Sequence, residues 1–342
     1  WLLNTALIHS LQVSIKSNQL KLWSLNLALY SFIAAVFGTF LVRSNLIVSV
    51  HSFASDPLRG LFLIMIIAYL FIVTLRLNIK SVNYFNQDTF KIMSKETFLL
   101  LNNIFFIAAA LTVLVGTIYP LFSEIIYNSS VSIGAPYYNF AFNLLMAPII
   151  LLMAFAPQIK WGEHKKKNNQ TFYIIAISIV ITAIVYYLLG NIFFALSVFI
   201  TMPLFIKSFL VFFKKVSKDR SFFAQWLAHL SIGLFIVAAV YTEQFDYEKN
   251  ITFEKGDSNE IVLNEGASLL LENIKDSDLS NHQKISVDLI VVEKNLKYSL
   301  SPSKNIYQPS GQVTNEVSTV NRYFDQYYAT ISMIESDKVS IN

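Results

Sequence analysis

Apolar residues run through this chain in seven stretches of near-spanning length, at about 23–42, 60–78, 99–122, 139–158, 171–190, 191–213 and 224–242. Each approaches the ~20 residues a helix needs to cross the hydrocarbon core of a bilayer. Trp1 to Ile15 is helical in pattern too, but at ~1.5 Å per residue it reaches only ~22 Å, like the inner part of a span. After Thr242 the pattern changes to a period of two. It does so in Ile251-Thr252-Phe253, in Ile285 to Val292 and in Tyr328 to Ile334, with turn residues such as Lys255-Gly256-Asp257 and Ser301-Pro302 between them. These patterns predict a mainly α, polytopic membrane protein of about eight transmembrane helices over residues 1–242. A small all-β domain outside the membrane follows over residues 243–342.

Composition agrees with the membrane reading: 54% of the 342 residues are hydrophobic and only 14% charged. The net charge of +4 means little as a sum, because the charges are segregated. Lys16 and Lys21 lie in the first gap, and Arg76, Lys80, Lys91 and Lys95 in the third. Lys160 and Lys165 to Lys167 fill the fifth, and Lys214, Lys215, Lys218 and Arg220 the seventh. Residues 123–138 and the Gly190-Asn191 turn carry no Lys or Arg. The positive-inside rule then puts the odd gaps on the cytoplasmic or matrix side. The loop containing His51, the 123–138 loop and the acidic tail (16 acidic against 9 basic residues from Glu243 onward) fall outside. With no cysteine in the chain, disulfides, thiolate metal sites and thiol chemistry by its own residues are excluded. Gly-rich phosphate loops and paired intramembrane carboxylates are absent, which argues against nucleotide chemistry and ion-coupled transport.

The five histidines sort by topology. His164, in a basic run at the inner face, and His282, in a polar stretch of the tail, read as solvated. His51 sits in a polar gap, Ser49-Val50-His51-Ser52-Phe53-Ala54-Ser55-Asp56-Pro57, at the outer edge of the membrane, where an ionisable residue is a functional candidate. His9 and His229 lie inside apolar helices, 7 residues above Lys16 and 9 above Arg220. At ~1.5 Å per residue their depths are ~10 and ~13 Å, effectively one level of the inner leaflet. Two imidazoles at one depth on different helices suit the two axial positions of a haem iron. Small or polar neighbours (Thr5 and Ala6; Gln225, Ala228, Ser231 and Gly233) would leave room for the macrocycle. The same residues equally suit close helix packing, with each histidine hydrogen-bonded to a neighbouring helix. His51, a membrane thickness away, cannot join that pair.

Several ordered segments carry a resemblance. They are Trp1 to Ser10; Gly38-Thr39-Phe40-Leu41-Val42-Arg43-Ser44 running into Ser49 to Pro57; Lys95-Glu96-Thr97 with Leu99-Leu100-Leu101-Asn102-Asn103; and Gly116-Thr117-Ile118-Tyr119-Pro120. Pro136-Tyr137-Tyr138-Asn139 with Met146-Ala147-Pro148, then Ala228-His229-Leu230, then Pro302-Ser303-Lys304-Asn305-Ile306-Tyr307 with Thr314-Asn315-Glu316 follow. In content and order these resemble the CcmF/NrfE cytochrome c haem lyases of System I cytochrome c maturation, almost from end to end.

The resemblance implies that His9 and His229 are the axial ligands of a resident haem b. It also implies that His51 is one of two external histidines holding a second haem, the substrate to be attached. The family's other external histidine and its tryptophan-rich WWD segment lie before the position of Trp1, which reads as a truncation or a gene split in two. The implied activity is covalent attachment of haem to apocytochrome c Cys-X-X-Cys-His segments, in a bacterial or mitochondrial inner membrane. Implied partners are a CcmE-type haem chaperone, CcmH/CcmI-type subunits that handle apocytochrome c, and quinol as a possible electron source. No nucleic acid is implied. Two other readings of the residues stand beside it: a haem exporter or carrier without lyase activity, and a quinol-oxidising bis-His cytochrome b.

Overall fold

The computed structural model describes residues 1–44, 57–81, 91–128, 131, 133–162, 169–215, 220–254, 260–263, 266–294, 296–308, 313–322, 326–335 and 338–342. The chain divides into two compact units, Trp1–Phe245 and Asp246–Asn342. The first is helical: α1 (Leu2–Ser17), α2 (Lys21–Arg43), α3 (Pro57–Ser81), α4 (Lys95–Tyr127), α5 (Ala135–Phe155), a 3-10 turn (Ala156–Gln158), α6 (Asn169–Leu189), α7 (Ile192–Lys215) and α8 (Arg220–Phe245). Seven of these helices, α2 to α8, are long and apolar enough to cross a membrane. Large apolar side chains such as Phe62, Tyr69, Phe172, Tyr187 and Phe235 stand exposed along them, as lipid-facing surface does. Pro120, Pro148 and Pro203 sit inside α4, α5 and α7, a placement membrane helices tolerate because neighbours re-satisfy the freed backbone.

Packing runs α3–α2–α1–α4–α5–α7, with α6 and α8 both against α7. Ala6, Leu27, Phe106 and Ile149 form one buried cluster, and Val13, Leu20 and Leu99 another. Residues 6 and 13 of α1 thus meet residues 106 and 99 of α4, so the two helices are antiparallel. Between the clusters the hydroxyls of Ser10 and Ser24 pair at 2.9 Å, both buried. The reversal from α1 to α2 takes only three residues, because Asn18 (φ 60°) and Leu20 (φ 57°) turn through left-handed backbone.

The N-terminal end of α4 is tied down by Glu96. This buried carboxylate accepts from Ser17 Oγ at 2.7 Å and from the Gly162 N–H at 3.1 Å, joining α1, α4 and the segment after the 3-10 turn. Beside it, Ser94 caps α4 by accepting from the Thr97 N–H at 3.3 Å. At the other end, Gly116 leaves the space into which Tyr137 and Tyr138 pack, and the Tyr137 hydroxyl donates to the Thr112 carbonyl at 3.1 Å. Two of the segments behind the family resemblance therefore meet here. Gly190 (φ 68°) and Asn191 make the α6–α7 turn, with Asn191 Oδ1 accepting from the Phe194 N–H at 2.9 Å.

The second unit is all β. Strands β1 (Ile251–Glu254), β11 (Lys338–Ile341) and β10 (Ile331–Glu335) form one antiparallel sheet. β2 (Ile261–Val262), β3 (Ala267–Asp278), β4 (His282–Glu293), β6 (Ser303–Tyr307) and β7 (Val313–Glu316) form a second, with β5 (Leu296–Leu300) also pairing β4. β8 (Ser318–Asn321) and β9 (Gln326–Ala329) form a ribbon. Alternate residues of β4, Val287, Leu289 and Val291, enter a core shared with Ile251, Phe253, Leu269, Leu300, Ile331, Val339 and Ile341. The alternating run from Tyr328 to Ile334 is not one strand. It breaks at Thr330, which exchanges backbone hydrogen bonds of 2.9 Å with Asn342, so that β9 pairs β8 while β10 turns to β11.

Candidate functional site

His9 and His229 line one cavity, together with Gln12, Lys95, Leu99, Asn102, Leu152, Met153, Ala156, Pro157 and Gln225. α1 brings His9 and Gln12, α4 brings Lys95, Leu99 and Asn102, α5 and the 3-10 turn form the wall, and α8 brings Gln225 and His229. Among the described residues, α1 and α8 are not one of the closely packed helix pairs. Both nevertheless reach one space that α4 and α5 also line.

The tautomer of His9 follows from its partner. Its Nδ1 lies 2.8 Å from the Thr5 carbonyl oxygen, which can only accept. Nδ1 therefore carries the proton, and Nε2 keeps the lone pair that binds a metal. A histidine ligand held by such a bond has its ring orientation set in advance. The His9 ring also lies 6.0 Å from that of Phe106, tilted by 31°. Among the described residues no cluster of three or more His, Asp or Glu side chains is placed to hold a bare metal ion. Two imidazoles lining one cavity from different helices are the donor type of a six-coordinate haem iron. About 30 Å³ of the cavity is open, enough for a water molecule. Gln12, Met153 and Gln225, all unbranched side chains, line that space.

The neighbours singled out by spacing divide between cavity and packing. Gln225 lines the cavity, and Thr5 supplies the carbonyl that orients His9. Ala6 is fully buried in the cluster with Leu27, Phe106 and Ile149. Gly233 makes room for α7, since a Cβ there would lie 2.9 Å from Phe205 and 3.1 Å from Leu204. Ser231 donates to the Ala228 carbonyl of its own helix at 3.0 Å. Lys95 and Asn102 entered the sequence reading only as a basic gap residue and as part of a resemblance. Lys95, Leu99 and Asn102 follow at i, i+4 and i+7, the spacing of one helix face, and that signal would have found them.

His51 and His164 lie outside the described residues. His282 belongs to the β unit, at the start of β4. Its Nδ1 is 2.7 Å from Asn281 Oδ1 and its ring 5.0 Å from that of Tyr307.

No protein-family model matches this chain. Individual relatives do. The cytochrome c-type biogenesis protein CcmF of Haemophilus influenzae is 34% identical over 283 residues, 76% of this chain and 43% of that protein. CcmF of Pseudomonas aeruginosa is 31% identical over 335 residues, 92% of this chain and 50% of its own length. The chain thus spans about half the length of the curated relatives it matches. A solved structure of the cytochrome c haem lyase CcmF superposes with a TM-score of 0.72 at 18% identity, over all of this chain and 54% of that one, which establishes the shared fold. With the ordered segments distributed over both units, these relationships show that the chain belongs to the CcmF/NrfE family of cytochrome c-type biogenesis proteins.

Proposed function

We propose that this chain is part of a haem lyase that attaches haem covalently to the Cys-X-X-Cys-His segments of apocytochrome c, with His9 and His229 as axial ligands of a resident haem b. The observation that carries the reading is the cavity lined by both histidines, in which the Thr5 carbonyl holds the His9 proton on Nδ1 and leaves Nε2 bare. Relatives named for cytochrome c biogenesis supply the reaction class.

In the reaction, each cysteine thiol adds across a vinyl group of the substrate haem. Sulfur bonds to the carbon next to the ring, hydrogen goes to the outer carbon, and no net oxidation occurs. Haem iron and thiols must both be reduced beforehand, and a haem held at His9 and His229 supplies single-electron relay. The contribution of this chain is placement. His51 ligates the substrate haem from the outer side, and fixing two reactants in register is worth roughly 7–11 kcal/mol of barrier. Because the chain has no cysteine, thiol delivery falls to CcmH/CcmI-type partners, haem delivery to a CcmE-type chaperone, and reducing equivalents to quinol. Seven spanning-length helices suit a multi-pass inner-membrane protein, and the alternation of basic residues along the gaps supports the reading that His51 and the β unit lie on the periplasmic or intermembrane side.

Co-expression of the full-length protein with an apocytochrome and the chaperone tests the reading. Covalent cytochrome c, detected by haem stain after denaturation, is the expected product. Haem transfer to the acceptor without thioether formation would overturn it in favour of a carrier.

A further inference from the structure

We infer that the open edge of β3 takes up an extended strand of another polypeptide, one that carries lysines at alternate positions. β3 (Ala267–Asp278) pairs with β4 from end to end, whereas β2 meets it only at Ser268 and Leu269. From Leu270 onward its other edge has no strand beside it among the described residues. The register steps from Leu271↔Leu289 to Asn273↔Asp288, so Glu272 is the extra residue of a bulge. Residues 273–278 continue past it as about 20 Å of edge, and all of them except Ile274 are exposed.

Two hydrogen bonds fix which backbone groups face that edge. The Leu279 N–H donates to the His282 carbonyl at 2.9 Å across the β3–β4 turn, and the Val287 N–H of β4 donates to the Pro302 carbonyl at 3.0 Å, on the β6 side. Backbone groups alternate in direction along an antiparallel strand. Asn273, Lys275 and Ser277 therefore bond to β4, and the N–H and C=O of Ile274, Asp276 and Asp278 face the open edge. The side chains of these same three residues share one face of β3. Ile274 packs against the β core, and the two carboxylates follow beyond it. Neither forms an ion pair among the described residues. Gln283 Nε2 donates to both Asp276 oxygens, at 3.1 and 3.0 Å, which leaves the charge in place. Lys275 lies on the opposite face and is bound to Asp288 at 2.6 Å.

Charges on an edge strand discourage pairing with a like strand. A second copy of β3 would bring acidic residues against acidic residues, which destabilises a strand pair. A strand with lysine at every second position instead sets ammonium groups against Asp276 and Asp278. The backbone hydrogen bonds then hold the strand while its alternate side chains select it, the division of labour in strand addition. The whole β unit has the matching sign, with 16 acidic against 9 basic residues from Glu243 onward.

Fluorescence anisotropy of a labelled short peptide that alternates lysine with threonine, titrated with the purified full-length protein, tests this. Wild type should bind the peptide. Methylating the lysine backbone nitrogens, which removes the donors and keeps the charge, should weaken binding about tenfold or more. A peptide with glutamate in place of lysine should not bind. Asp276→Asn combined with Asp278→Asn should weaken the lysine peptide about tenfold, and Asp276→Lys combined with Asp278→Lys should turn the preference to the glutamate peptide. A photoreactive benzophenone on the lysine peptide should crosslink to residues 273–278. Equal binding of the methylated peptide would leave charge attraction alone and overturn the inference, as would equal binding of the glutamate peptide, a crosslink elsewhere or no binding at all. These outcomes are read on wild type, so they hold whether or not the variants fold. Dimerisation of wild type through a crosslink that maps to β3 would give the edge to a second copy and overturn it too.

Discussion

The Nδ1 of His9 sits 2.8 Å from the carbonyl oxygen of Thr5, one helical turn earlier. A carbonyl accepts only, so this bond turns a mobile imidazole into a ring with a defined tautomer and a bare Nε2. His229, on α8, lines the same cavity. Replacing either histidine with alanine should remove the low-spin haem b absorption of the purified protein, and adding imidazole should partly restore it. A wild-type spectrum in either variant would remove that residue from the ligand pair.

In the proposed function His51 serves the substrate haem rather than the resident one. His51→Ala should leave the reduced haem b spectrum of the purified protein unchanged while cytochrome c maturation falls to background. Normal maturation by that variant, measured by haem stain, would contradict the role.

Glu96 bridges three segments with one carboxylate. Glu96→Ala leaves Ser17 Oγ and the Gly162 N–H without their acceptor and should cost roughly 2–4 kcal/mol. Glu96→Gln keeps an acceptor and should cost about half as much. Thermal unfolding in detergent reads the difference.

At Gly116, α4 leaves room for two tyrosines of α5. A Cβ there would lie 2.7 Å from Tyr137 Cε1 and 2.8 Å from the Tyr138 hydroxyl. Since Tyr137 is pinned to the Thr112 carbonyl, the ring cannot simply swing away. Gly116→Ala should destabilise the helical unit by ~1–3 kcal/mol through overpacking, and the double variant Gly116→Ala with Tyr137→Phe should recover part of that.

In the β unit, the Lys275 ammonium at 2.6 Å and the Ser301 hydroxyl at 2.8 Å hold Asp288 below the usual carboxylate range. Ser303, Asn305 and Lys284 do the same for Glu316. A depressed carboxylate supports folding above its ordinary pKa, 3.8 for Asp288 and 4.5 for Glu316, and that support is lost as pH falls through the lowered value. Hydrogen-exchange protection of β4 and β6 should therefore be lower in Asp288→Asn and Glu316→Gln than in wild type at pH 7. The gap should close toward pH 2. Both sites are partly solvated, so each effect is small.

Local pattern alone determined the spanning helices, the change to a two-residue period after Thr242, and the charge alternation along the gaps. These depend on hydropathy and short-range spacing, which a chain carries whatever its partners. Depth along a helix is local as well, because rise per residue is constant, and this is why His9 and His229 emerged as a pair. What lines the cavity between them was a tertiary decision. Gln12, Lys95 and Asn102 join it because α1 and α4 pack antiparallel in one register, and Gly233 turns away to α7 because of where Phe205 stands. Likewise β1 pairs with β11 from the opposite end of the β unit, and the Tyr328–Ile334 run breaks at Thr330 because that residue bonds to Asn342, so both rest on partners distant in sequence. Periodicity says which face of an element is buried. Only packing between segments distant in sequence says against what.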